Sequence, residues 1–404
     1  MILTRVLQHF PRPRIADDQL ETVVRAQIRA SGVAIPSGAH IAIAVGSRGI
    51  ANIAAIVRIT VDAVKEAGSV PFIVPAMGSH GGATAEGQQQ VLASYGISEA
   101  SVGAPVRASM DVVELPQDGL PNRVYMDRLA YEADATIVVN RVKVHTDYHG
   151  PIESGLVKMC VIGLGKHKGA LEIHRHGTRG LKELIVPSAR RVLKHGRILL
   201  GLAIAENACD EIAIIKALKP DEFEREEEQL LRWAKAHMPS LPVRQLDVLI
   251  VDEFGKDISG TGLDPNIIGR TKIRTQPDPE CPDITSILLL DLTDASHGNA
   301  IGMGLADVIT RRVFDKIDFA ATYENVITSS FLERGFLPIV ADDERAGLEY
   351  ALRHCGSADP DNPRIMRIRN TLKLESLWVS AAVFDEIQEL DYIEGPLGQS
   401  TLFA

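Results

Sequence analysis

The chain has 404 residues, 45% hydrophobic and 24% charged. That is a globular composition with enough length for two or three cores, and it excludes disorder as the main state. The net charge of −10 argues against a nucleic-acid partner, which selects a basic face.

No apolar run has the length of a signal peptide or a membrane span, so the expectation is a cytoplasmic protein without a membrane partner. The cysteines, Cys160, Cys209, Cys281 and Cys355, stand far apart with no C-x-x-C pair. They fit a reducing compartment, and neither a disulfide framework nor a thiolate zinc site.

In chain order, a helical pattern near Gln19–Ala30 precedes an apolar β-rich run at Ile41–Val45. A helix near Asn52–Ala67, a strand at Pro71–Pro75 and a helix near Thr84–Tyr95 follow. Further strands read at Thr136–Val139, Ile198–Ala203, Val248–Val251 and Ser286–Leu290. Helices read near Gly180–Lys194, Asp221–His237, Gly304–Lys316 and Asp343–His354. Short continuous apolar runs are strands buried on both faces, and their alternation with helices predicts an α/β fold with mostly parallel sheets. The acidic run Glu224–Glu228 reads as a solvated helix face. The connector Met238–Leu246 suggests two α/β domains, a cofactor-binding one over 1–243 and a second over 244–404 that closes an interdomain cleft. The tail Gly395–Ala404 either stays with the second domain or returns to the first.

Ligands of open α/β sheets bind outside the carboxyl ends of the strands. GSRG after the first strand presents Arg48, AMGSHGGAT after the second presents His80, and NRVKVHTDYHG after the third presents Lys143, His145 and His149. Five of the 12 histidines fall between His145 and His176, and imidazole suits both proton transfer and metal ligation. Among them runs SGLVKMCVIGLGKHKG. Its Ser154, Gly155, Gly163, Gly165 and Gly169 suggest a loop whose amides hold a phosphate. Lys158 lies in an apolar stretch, as an activated nucleophile or as a snorkelling lysine. GLGKHKG also fits a dinucleotide turn after the apolar stretch MCVI, and His145-x3-His149 or His174-x-His176 fits a zinc pair.

These residues resemble the lactate racemase family of nickel-pincer-nucleotide enzymes. The likeness is carried by His80 in GSHGG, His145 in KVHTDYHG, Ser154-Gly155 followed by Lys158, and His174 sixteen residues after that lysine. It implies a racemase or epimerase of a 2-hydroxy acid that uses a pyridinium-3,5-bisthiocarboxylic acid mononucleotide carrying Ni(II). In that reading Lys158 tethers the cofactor beside Ser154 and Gly155, and His174 ligates nickel, with His167 and His176 as competitors. His80 and His145 form the acid/base pair, and Arg48 holds the substrate carboxylate. Separate cofactor-building enzymes are implied for maturation.

The chain departs from the family pattern in three places, the first being Val45 where the family has an aspartate three residues before the arginine. His145 to Lys158 is thirteen residues rather than ten, and the second domain offers GKDISGTGLDPNIIGR where a glutamine and a lysine are typical. Asp264 and Asn266 of that stretch, with His297 from DASHGNAIG, become the expected second-domain substrate contacts. They favour a more polar or longer 2-hydroxy acid than lactate. Two other classes stay open: a nicotinamide-dependent oxidoreductase using the GLGKHKG turn, and a non-catalytic phosphate- or nucleotide-binding module.

Overall fold

The computed structural model describes residues 1–46, 49–274 and 276–402. It is a mixed α/β structure of two compact units, Pro11–Met238 and Met1–Phe10 with Pro239–Ala404. The expected first domain, 1–243, therefore differs at its start. The strand β1 (Ile2–Gln8) pairs with strands from the far end of the chain and belongs with them.

The unit Pro11–Met238 holds β2 (His40–Val45), β3 (Val70–Pro75), β4 (Val112–Leu115), β5 (Val124–Asp127), β6 (Ala135–Arg141), β7 (Ile198–Glu206) and β8 (Ile212–Leu218). Five of them form a sheet in the order β3-β2-β6-β7-β8. It is parallel up to β7, which pairs antiparallel with β8. β4 and β5 form a separate antiparallel ribbon.

Alternation along β2 explains the two cores. Ile41, Ile43 and Val45 pack with residues of the helices Leu20–Ala30 and Ile53–Glu66 on one face. Ala42 and Ala44 share the other face with Leu156, Val157 and Cys160. Small side chains there bring the Lys158 segment close to the sheet. The chain leaves β2 for β3 on one side and later returns to β6 on the other. That makes the β2/β6 boundary the topological switch point, where parallel sheets leave a crevice at their carboxyl edge.

The other unit adds β9 (Gln245–Val251), β10 (Asp283–Leu289), β11 (Val308–Thr310), β12 (Ile339–Ala341), β13 (Ile365–Asn370), β14 (Lys373–Val379) and β15 (Ile393–Thr401). Its sheet runs β12-β11-β10-β9-β13-β14-β1-β15. The strands from β12 to β13 are parallel, and the last three pairings are antiparallel. The tail is thus strand β15, paired with β1. The expected helix Gly304–Lys316 is shorter, Arg311–Lys316. The buried β-branched Val308 and Ile309 enter the sheet first, and the Thr310 hydroxyl then caps the helix through the Val313 N–H at 3.3 Å.

Candidate active site

At the switch point the chain following β6 makes a closed loop. Lys143 and Ser154 exchange backbone hydrogen bonds, N to O 2.9 Å one way and 3.3 Å the other, so residues 143–154 leave and return at one place. The buried Glu153 carboxylate organises the interior. It accepts the His145 N–H at 2.8 Å and the Gly150 N–H at 3.1 Å, and it pairs with Lys235 at 2.6 Å and His149 at 3.4 Å. Burial alone raises its pKa. The His149 and Lys235 contacts and the two N–H groups outweigh that, so it stays ionised below the usual range. Tyr148 donates its hydroxyl to the Glu153 carbonyl at 2.7 Å and stacks at a tilt on His145, centroids 4.5 Å apart.

The result is a fixed imidazole. His145 Nδ1 accepts the Asp147 N–H at 3.0 Å, and its Nε2 is hydrogen-bonded to Lys158 Nζ. A nitrogen that accepts carries no proton, so the neutral ring keeps its proton on Nε2. The Nε2 side of the ring therefore faces Nζ.

Lys158 ends a helical turn, Leu156–Lys158, that runs into a π-helical turn, Met159–Gly163. After Gly165 comes the helix Lys166–His174. The start is fixed by Asn140 Nδ2, which donates to the Gly155 carbonyl at 2.9 Å, and by the Glu227 carboxylate, which accepts the Val157 N–H at 3.0 Å. Glu227 is fully buried and keeps Oε1 without a hydrogen-bond partner. The acidic run is therefore not wholly a solvated face. Burial pushes Glu227 up to about 7, against the Val157 and Leu156 N–H groups that favour its charge, and Glu224 adds a smaller push in the same direction.

His174 closes the same helical segment. Burial pushes its pKa down, a protonated Lys158 adds to that, and Asp147 opposes it. The structure thus brings His145, Lys158, Asp147 and His174 into one electrostatic group. His176 Nε2 instead takes the Arg175 Nε–H at 3.4 Å, and His167 keeps a buried Nδ1 with no hydrogen-bond partner.

His80 follows β3, beyond β2 from the His145 loop, and its side chain is exposed. Its backbone N–H bonds the Met77 carbonyl at 3.2 Å. Gly78 N–H donates to the Gly163 carbonyl at 3.3 Å, tying the His80 loop to the π-helical turn. Arg48 lies outside the described residues.

Two expectations for the glycine-rich stretch are corrected. Gly163, Gly165 and Gly169 do not form a phosphate loop: they lie in or between helical turns, and the Gly169 N–H bonds the Gly165 carbonyl at 2.7 Å. A Cβ at Gly165 would lie 2.1 Å from the Val161 carbonyl oxygen, so tight helical packing explains the glycine. The apolar stretch MCVI is helical, which removes the strand-turn-helix context that a dinucleotide turn requires.

In the other unit, Asp264 Oδ1 accepts both the backbone N–H and the side-chain N–H of Asn266 at 2.9 Å, capping Pro265–Ile268. One Asp264 oxygen and one Asn266 amide hydrogen are thereby engaged with each other. His297 is exposed in a left-handed turn, φ 48°.

Among the described residues no group of three or more His, Cys, Asp or Glu side chains is placed to hold a metal, so neither histidine pair makes a protein-only zinc centre. No helix among them is long and apolar enough to cross a membrane.

Residues 43–228 match a family described as Domain of unknown function (DUF362). The whole chain is similar to the lactate racemase apoprotein from Thermoanaerobacterium thermosaccharolyticum, with a TM-score of 0.51 and 13% identity over 92% of this chain and 99% of that one. The fold is lactate-racemase-like. No curated protein matches the sequence.

Proposed function

We propose that this chain is a racemase or epimerase of a 2-hydroxy acid that works with a nickel-pincer nucleotide. The observation that carries the reading is the Lys158–His145 hydrogen bond with His145 Nδ1 already engaged. With the ring proton on Nε2, that contact favours Lys158 as the amine, the form in which a lysine attacks a carbonyl-type carbon. The donor set fits the group. A pincer brings its own sulfur and carbon donors, so the protein has to add one amine tether and one soft nitrogen ligand, and no metal cluster of its own.

Lys158 would hold the nucleotide through its thiocarboxyl carbon, with Ser154 and Gly155 beside it, and His174 would ligate nickel. Suppression of the imidazolium by burial keeps the His174 lone pair available. When bound, the group supplies an acceptor that takes and returns the α-hydride of the substrate.

This chain's residues handle the proton. With Lys158 engaged by the cofactor, His145 Nε2 would turn to the substrate hydroxyl; to take its proton the ring must carry its own proton on Nδ1, where the Asp147 carboxylate stands 3.8 Å away. The Tyr148 ring holds the imidazole in place during the exchange. His80, from a different strand end, would serve the opposite enantiomer. Arg48 would grip the carboxylate, and Asp264, Asn266 and His297 are further candidates for substrate contact. The cofactor-building enzymes would be partners in maturation only.

The test is to produce the protein with and without the cofactor pathway, then measure nickel and intact mass. Stoichiometric nickel and a mass increase that maps to Lys158 and disappears in Lys158→Ala support the reading. Absence of both from protein made with the active pathway overturns it.

A further inference from the structure

The His80 loop rests on a buried polar assembly that the chemistry above does not use. Lys166 is fully buried and begins the helix that ends at His174. Its φ of 54° lies in the left-handed region, a strained setting that a lysine keeps only where its surroundings fix it.

An ammonium has three N–H groups, and three oxygens surround this one. They are the Pro75 carbonyl at the end of β3, Gln88 Oε1 at 3.1 Å and Asp127 Oδ2 at 3.1 Å. Gln88, itself buried on the helix Ala85–Ser94, passes the connection on. Its Nε2 donates to the Gly78 carbonyl at 2.9 Å and to the His80 carbonyl at 3.3 Å. The loop is also seated directly on that helix: a Cβ at Gly81, φ 64°, would lie 2.5 Å from the Gln88 nitrogen.

We infer that Lys166 and Gln88 are positioning residues, which lock the His80 loop to the helix carrying His174 so that the two histidines move as one body. This rests on the reading of His80 as a proton-transferring residue. Neither side chain touches substrate in this assignment. Lys166 fixes where the loop leaves β3, and Gln88 fixes where it turns at His80. Both act on the loop backbone, so the exposed imidazole gains a defined origin without losing access to solvent. Asp127 balances the buried charge: burial pushes Lys166 down and Asp127 up, and their mutual attraction opposes both shifts.

The test uses the full chain without cofactor, so it does not depend on loading or on a known substrate. Gln88→Met keeps bulk and removes both donors to the loop. The double variant Lys166→Met/Asp127→Asn removes the buried ammonium without stranding its partner. Hydrogen exchange should rise at least tenfold at the Gly78, His80 and Ala83 amides, with less than a twofold change at Ile43 and Ile137. In protein labelled at histidine Cε1, the His80 resonance should shift and broaden while His149 keeps its position. Unchanged loop exchange with an unchanged His80 resonance in both variants overturns the proposal. So does a rise shared equally by the sheet amides, which marks general destabilisation. A loosened loop in a chain that never takes up nickel would refute the cofactor reading and leave the mechanical lock standing.

Discussion

Gly155 and Glu227 meet with no space between them: a Cβ at position 155 would lie 2.3 Å from the Glu227 carboxyl carbon. Gly155 has φ 177°, which any residue adopts, so contact alone explains the glycine. Gly155→Ala should cost about 1–3 kcal/mol, the usual range for overpacking. Glu227→Ala in the same chain should return part of that loss by opening the space. Calorimetric unfolding of the single and double variants checks this, and equal melting points for Gly155→Ala and the parent would refute it.

Glu227 also sets a pH dependence of stability. Its carboxyl holds a proton up to about pH 7 in the folded chain, against about 4.5 as the ordinary value. Between those two pH values the folded state binds the proton that the unfolded state has released. Stability from this group is therefore full below about 4.5, falls as pH rises to about 7 and then stays flat. The fall amounts to about 3 kcal/mol. Glu227→Gln keeps an acceptor for the Val157 N–H and removes the titration. Urea unfolding from pH 4.5 to 8 should show the variant gaining on the parent as pH rises. Parallel curves would contradict the assignment.

The Lys158–His145 hydrogen bond predicts unusual amine reactivity. At pH 7 an ordinary lysine is almost wholly protonated. Cyanate should carbamylate Lys158 at least tenfold faster than exposed lysines such as Lys219. His145→Phe keeps a ring against Tyr148 and removes the Nε2 proton that requires an amine partner, so it should abolish the difference. Peptide mapping after short exposure reads both rates. Lys158 reacting no faster than Lys219 in the parent would mean that it is an ammonium.

His174→Ala should lose nickel while Lys158 keeps its mass increase, because tether and ligand are separate residues. His80→Ala should keep both and lose about 10²–10⁴-fold in turnover, the typical weight of a general acid or base, whereas His145→Ala should lose turnover together with part of the Lys158 mass increase, because it also removes the partner of the attacking amine. Metal analysis, intact mass and a racemisation assay over a panel of 2-hydroxy acids distinguish these outcomes. Stoichiometric nickel in His174→Ala would move the ligand to His167 or His176.

Periodicity revealed the parallel strands whose runs are apolar on both faces, as in Ile41–Val45 and Val248–Val251. It missed the parallel strands β11 and β12, which are only three residues long, β13 and β14, whose buried apolar residues alternate with polar ones, and the exposed β15. The histidine cluster was visible from spacing, and Lys158 was visible as a charge inside an apolar run. Glu153 and Glu227 were not. One stands in an ordinary PIESG segment, and the other is indistinguishable from its acidic neighbours until Val157 and His145 are placed beside them. Helical periodicity failed between 156 and 184 because two π-helical turns, Met159–Gly163 and Gly180–Leu184, shift the apolar face partway along.

Strand β1 has a consequence for synthesis. It is made well before both of its neighbours, β14 and β15. The sheet that contains it stays open at that edge until those two strands have been translated, whereas every residue of Pro11–Met238 precedes them in the chain. The Lys158 segment can therefore reach its folded form on the ribosome while β1 waits for partners not yet translated.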